Sequence, residues 1–239
     1  MTTFDFGEGP MPAHRHENGG GWVADSASVA LTVYVARDAQ IAGDAQIGGK
    51  ARIWGDAQIA GDARIWGDAQ IWGKARIWGD AQIAGDARIW GNARIWGKAR
   101  IWGDARIWGN ARIWGNAQIW GDARIWGKAR IWGDAQIAGN ARIWGNARIW
   151  GDARIWGNAQ IGGDAEIKSS RDYLILGPLG SRDAVLTWTR SDNSICTVCF
   201  RGTVTEFLRA VKDTHGDNSH AQAYRAAVRF IRAYAKVTP

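Results

Sequence analysis

Apolar and polar positions alternate in a six-residue word that repeats unbroken from residue 23 to residue 168. The aliphatic position falls at Val23, Val29, Val35, Ile41 and Ile47 and continues to Ile161 and Ile167, twenty-five words without an insertion or deletion. The commonest spelling is Ala-Arg-Ile-Trp-Gly-Asp, as at Ala63–Asp68. Ala and Ile are two apart, so an extended chain points both to one side. Arg or Gln before the Ile and Trp after it point to the other side. Gly followed by Asp, Asn or Lys then breaks the alternation and makes a corner, because Gly accepts positive φ and Asp and Asn favour turns. A helix is excluded: a Gly in every word costs ~1 kcal/mol each, and a six-residue period matches no helical face. The pattern predicts an all-β solenoid of short strands and corners, each coil hydrogen-bonded in parallel to the last.

The word resembles the motif of the hexapeptide-repeat family: an aliphatic residue, a small or charged one, two variable positions, a small residue and another variable one. That resemblance covers about residues 22–168 and implies a left-handed parallel β-helix of triangular section with three words per coil. The three sides and the hand come from the resemblance alone. Trp directly after the aliphatic residue departs from the family pattern, which has a small or charged residue there. Three words per coil give about eight coils and a rod roughly 40 Å long at ~4.8 Å per coil. Ile stacks on Ile inside it, each buried side chain contributing ~1.5–3 kcal/mol.

Residues 1–21 hold Pro10, Pro12 and the run Gly19-Gly20-Gly21, and read as an irregular leader that shields the open edge of the first coil. The stretch His14-Arg15-His16-Glu17-Asn18-Gly19-Gly20-Gly21-Trp22-Val23-Ala24 resembles the lead-in of repeat proteins of phages and prophages. After Ile167, Tyr173–Leu176, Ala184–Thr189 and Ile195–Phe200 read as three short strands. Thr203 and Glu206 form a capping box that opens a helix to about Lys212, and a second helix runs from about Ser219 to Lys236. Residues 169–239 are therefore expected to be a small α+β domain that caps the last coil. Gly177-Pro178-Leu179-Gly180-Ser181-Arg182, Cys199-Phe200-Arg201-Gly202-Thr203 and Thr214-His215-Gly216-Asp217-Asn218 resemble the module that follows such repeats in phage and prophage proteins.

Sorted by threes, the residues after the aliphatic position fall into columns. One is Trp78, Trp96, Trp114, Trp132 and Trp150; a second is Trp54, Trp72, Trp90, Trp108, Trp126 and Trp144. The third is broken: Gly48, Trp66, Ala84, Trp102, Trp120, Ala138, Trp156. All thirteen arginines before the Ile have Trp two residues on, and all six Ile words with Ala or Gly in place of Trp carry Gln. Arg88, Arg106, Arg124 and Arg142 match the unbroken column in this way. Arg and Trp two apart share a face, so a guanidinium is expected to lie over each indole, for ~0.5–1 kcal/mol at an exposed site. These ladders either armour the rod or form its contact surface, since Trp and Arg are enriched at binding hot spots.

Net charge is +7, with the leader acidic and the other two parts basic. That permits an anionic partner without demanding one. The expected partner is another copy, as a dimer or trimer of rods; nucleic acid or a glycan along the Trp/Arg faces is the alternative. No apolar run is long enough to span a membrane and no signal-peptide pattern opens the chain, so no membrane partner is expected. Two cysteines, Cys196 and Cys199, make no disulfide framework, which suits the cytoplasm; the phage resemblance adds a virion-associated location.

Candidate chemistry is sparse. Hexapeptide-repeat proteins are often acyltransferases with a histidine on or beside the coils, but here no His lies between His16 and His215. Acyl transfer is therefore disfavoured, and no catalytic residue, metal or cofactor is expected. His14 and His16 offer too few ligands for zinc. His215, Asp217 and His220 read as an inter-helix turn, with Gly216 ending one helix and Asn218 or Ser219 capping the next. Cys196 and Cys199 face opposite sides of a strand and are not a redox pair. The expectation is a non-catalytic scaffold.

Overall fold

The structure is a computed structural model and describes residues 2–237. The repeats form a solenoid of about eight coils whose two-residue strands build three parallel sheets. The first face runs from Trp22–Ala24 to Glu166–Ile167, the second from Ser28–Val29 to Arg154–Ile155, and the third from Tyr34–Val35 to Gln160–Ile161. Ile65 pairs with Ile83 and Ile71 with Ile89, so one coil is 18 residues, three words. Within each word the polar residue and the Trp direct their amides at the next coil: the Arg64 N–H donates to Ala81 O at 2.8 Å and the Trp66 N–H to Ile83 O at 3.0 Å.

The interior is what the alternation predicts. From Ile53 to Ile167 the Ile and Ala ladders are at most 1 % exposed. The corner glycines carry a double constraint, seen at Gly109: φ is +72°, and an added Cβ would lie 3.1 Å from the backbone nitrogen of Gly127 one coil on. Stacked corners leave no room for a side chain where the backbone is already left-handed.

The leader is not irregular. Thr3–Asp5 and Pro10–Arg15 form an antiparallel hairpin that adds to the first face, with Arg15 opposite Trp22. Phe4 stacks on Trp22 at 4.5 Å, and the Arg15 guanidinium lies 4.1 Å from the same ring. The sequence hid the hairpin because its alternation is short and Pro10 and Pro12 fall in its inner strand, paired on both sides, where proline ordinarily argues against a strand. It covers the first coil as a cap must.

The C-terminal domain has four antiparallel strands rather than three: Tyr173–Leu179, Ala184–Thr189, Ser194–Cys196 and Arg201–Thr203. The stretch expected as one strand over 195–200 divides in two, and the first strand continues through Gly177-Pro178. Helix α1 (Val204–His215) starts at the expected capping box, with Thr203 and Glu206 bonded reciprocally, and runs one turn beyond Lys212. Helix α2 (Ser219–Val237) packs Ala221, Val228 and Ile231 into a second core with Leu186, Trp188 and Phe207.

This domain closes the solenoid group by group. The amides of the last coil have no following coil to accept them. Instead the Gln160 N–H donates to Thr187 Oγ1 at 2.9 Å, the Glu166 N–H to Ser191 Oγ at 2.7 Å, and the Lys168 N–H to Asp172 Oδ2 at 2.7 Å. Tyr173 Oη donates to Arg154 O at 2.8 Å and Arg201 Nη2 to Gly162 O at 2.9 Å. An open strand edge is thus satisfied by side chains of the cap.

Candidate functional site: the outward ladders

The three Trp columns fall where sorting by threes puts them. On the third face Trp54, Trp72, Trp90, Trp108, Trp126 and Trp144 form one continuous stack. Successive ring centroids are 5.3, 4.9, 4.8, 5.0 and 5.2 Å apart, and the planes are within 11° of parallel. On the first face Trp78, Trp96, Trp114, Trp132 and Trp150 do the same at 4.9–5.3 Å. The second face is interrupted: Trp102 stacks on Trp120 at 5.9 Å, Trp120 meets Trp156 edge-on across Ala138, and Trp66 and Trp156 are each 42 % exposed.

The expected pairing of Arg with Trp inside each word does not form. Among the described residues the guanidinium-over-ring contacts are Arg15 on Trp22 and Arg190 on Trp188, both outside the ladders. The cause is the pitch. Coils ~4.8 Å apart set neighbouring indoles at aromatic stacking distance, so each interior ring has both faces covered by other rings. A guanidinium two residues away finds no free π-face. Arg88 and Arg142 are instead exposed, and Arg106 and Arg124 half-buried. The same geometry removes base or sugar stacking along the ladders, because only ring edges face outward there.

Where a column ends or breaks, ring faces open. Trp78 begins the first-face stack below Ala60 and Ala42, and there a groove of about 650 Å³ lies between Trp78 and the hairpin residues Phe6 and Met11. At the other end of the third face the indole of Trp144 lies over Gly162, where an added Cβ would come within 2.6 Å of the ring nitrogen.

Charge is sorted around the rod. Along its middle coils the corner between third and first faces carries Lys74, Asn92, Asn110, Lys128 and Asn146, and its acids stand at the two ends, Asp38 and Asp56 before and Asp164 after. Beside it on the first face stand Arg76, Arg94, Arg112, Arg130 and Arg148, in register one per coil and all exposed. Both unbroken Trp columns flank this basic strip. In the corner between second and third faces, after Lys50, Asp68, Asp86, Asp104 and Asp122 follow one another in successive coils, all exposed, with Arg88, Arg106 and Arg124 two residues further on along the third face. Their glycines stack directly, Gly67 on Gly85 and Gly85 on Gly103.

Ion pairs do not offset these rows. Among the described residues the pairs are His14–Asp25, Arg148–Glu166, Arg201–Asp192 and Arg225–Asp217. None of the four corner aspartates takes part, and of the five arginines only Arg148 does. Reading the chain word by word averages this segregation away. Sorting the residue after each Gly by threes would have exposed it.

The remaining candidates stay apart. His14 Nδ1 is 2.8 Å from Asp25, while His16 is buried with Nε2 2.9 Å from Val33 O, so the two histidines serve separate contacts. Asn218 caps α2 by accepting from the Ala221 N–H, Gly216 ends α1 with φ +57°, and Asp217 is held by Arg225; His215 and His220 only touch ring to ring. No group of three or more His, Cys, Asp or Glu poised for a metal occurs among the described residues. Both cysteines are free, Cys196 buried and Cys199 exposed. Burial pushes the Cys196 thiol up to about 11, with Arg201 pulling the other way. Among the described residues no helix is long and apolar enough to cross a membrane. No family model matches the chain, and no curated protein matches it either.

Proposed function

We propose that the chain is a non-catalytic scaffold, a stiff rod that lies lengthwise against a partner, first of all another copy of itself. The observation that carries this reading is the pair of unbroken indole stacks flanking a strip of cations in which only Arg148 is ion-paired. A side-by-side partner meets the same apolar edge and the same charge at every coil, so weak contacts repeat along the rod. A phage-type assembly role, in the virion or the cytoplasm, belongs to the same proposal. Acyl transfer is disfavoured, since no histidine stands on the coils to act as general base.

A polyanion, nucleic acid or glycan, is the second reading, favoured by the uncompensated basic strip alone. It would be held by its charges, because the interior indole faces are taken. Sedimentation equilibrium of the full chain over a hundred-fold concentration range tests the first reading. Mass is expected to rise above that of one chain. A strictly monomeric rod throughout would overturn self-association.

A further inference from the structure

We infer that rods join side by side through a charge zipper, the acidic corner of one copy lying along the basic strip of another. This rests on the self-association reading and names the surfaces it uses: Asp68, Asp86, Asp104 and Asp122 against Arg76, Arg94, Arg112 and Arg130.

The two ladders share a period because both are written by the same 18-residue coil. A contact made at one coil is therefore made at all of them. They also share length and phase. Each aspartate precedes one of the arginines by eight residues, Asp68 before Arg76 through Asp122 before Arg130. Eight of 18 is close to half a coil, so two parallel copies with no axial shift place each carboxylate between the levels of successive guanidiniums.

The arginine column has a fifth member without an acidic counterpart. That member, Arg148, is the one already paired inside its own chain, to Glu166 at 2.8 Å. Every cation of the column that lacks a partner within the molecule has a carboxylate at the matching level of the corner.

Alone, each ladder holds like charges one above another at roughly 4.8 Å, which is unfavourable. Interleaving opposite ladders removes that repulsion in both at once. A polyanion on the basic strip would leave the carboxylates of the aspartate row without an ion-pair partner. The contact is heterologous: one copy offers both surfaces, so assembly either closes into a ring or extends sideways.

The test is sedimentation velocity of the full chain in about 50 mM salt and again in about 0.5 M, where charges are screened within a few Å. Association is expected at low salt and should weaken at least ~10-fold at high salt. The triple variants Arg94→Glu/Arg112→Glu/Arg130→Glu and Asp86→Arg/Asp104→Arg/Asp122→Arg should each be monomeric. Mixed, they should associate again in one-to-one proportion, because opposite charges then meet at both contacts. Circular dichroism matching the parent shows that the variants are folded. A parent that associates equally well after either reversal would overturn the zipper while leaving the scaffold reading standing, as would folded variants that stay apart when mixed. A monomeric parent that gains mass only with a single-stranded oligonucleotide or a sulfated glycan would overturn both.

Discussion

The second and third faces of the rod are built on the same strands, the same Ile and Ala ladders and the same corner glycines, yet they present different surfaces. The third carries six indoles in one stack. The second is cut at Ala84 and Ala138, and its ladder falls into short pieces. The difference teaches that the word has two separable parts. Ala and Ile decide that the chain winds, and the residue after Ile decides what the winding displays. Core and surface share no side chain here, so each can be altered alone.

The core is where the two faces should behave alike. Ile101→Ala, under the second face, and Ile107→Ala, under the third, each remove a fully buried side chain. Chemical denaturation should show a loss of about 2–5 kcal/mol for either one. A large difference between the two would mean that the surface ladders carry part of the folding energy assigned to the core.

The surface is where they should part. Trp108→Ala removes stacking on both Trp90 and Trp126, and at about 0.5–1.5 kcal/mol per ring pair should cost roughly 1–3 kcal/mol. Trp66→Ala, on a ring flanked in its column by Gly48 and Ala84, should cost under about 0.5 kcal/mol. Equal costs would place the value of the indoles in something other than stacking.

The smallest effect is a repair. Ala84→Trp would fill the gap between Trp66 and Trp102 and should stabilise the fold by about 1 kcal/mol, with stronger exciton coupling in the tryptophan circular dichroism. No gain in either signal would show that the second face is shaped against stacking rather than merely lacking a ring.

Much of this could be read from the chain. The period set the register, and sorting by threes set the columns that now appear as Trp stacks. Two things were hidden. Arg and Trp two apart in sequence look like natural partners, but Trp90 and Trp108, eighteen apart, are the ones that touch, because winding brings coils to stacking distance. The closing hydrogen bonds were hidden too. Nothing near Thr187 or Ser191 marks them as acceptors for Gln160 and Glu166, more than twenty residues earlier, since only tertiary contact creates that need.

The central claim is that the continuous ladder face, not the rod as such, is the association surface. Sedimentation equilibrium of two folded triple variants tests it most directly: Trp90→Ala/Trp108→Ala/Trp126→Ala on the third face and Trp66→Ala/Trp102→Ala/Trp156→Ala on the second. The first should lose association by ~30-fold or more, as buried Trp anchors at an interface cost at least about 2 kcal/mol each, and the second should associate as the parent does. Equal association by both variants and the parent would contradict the claim.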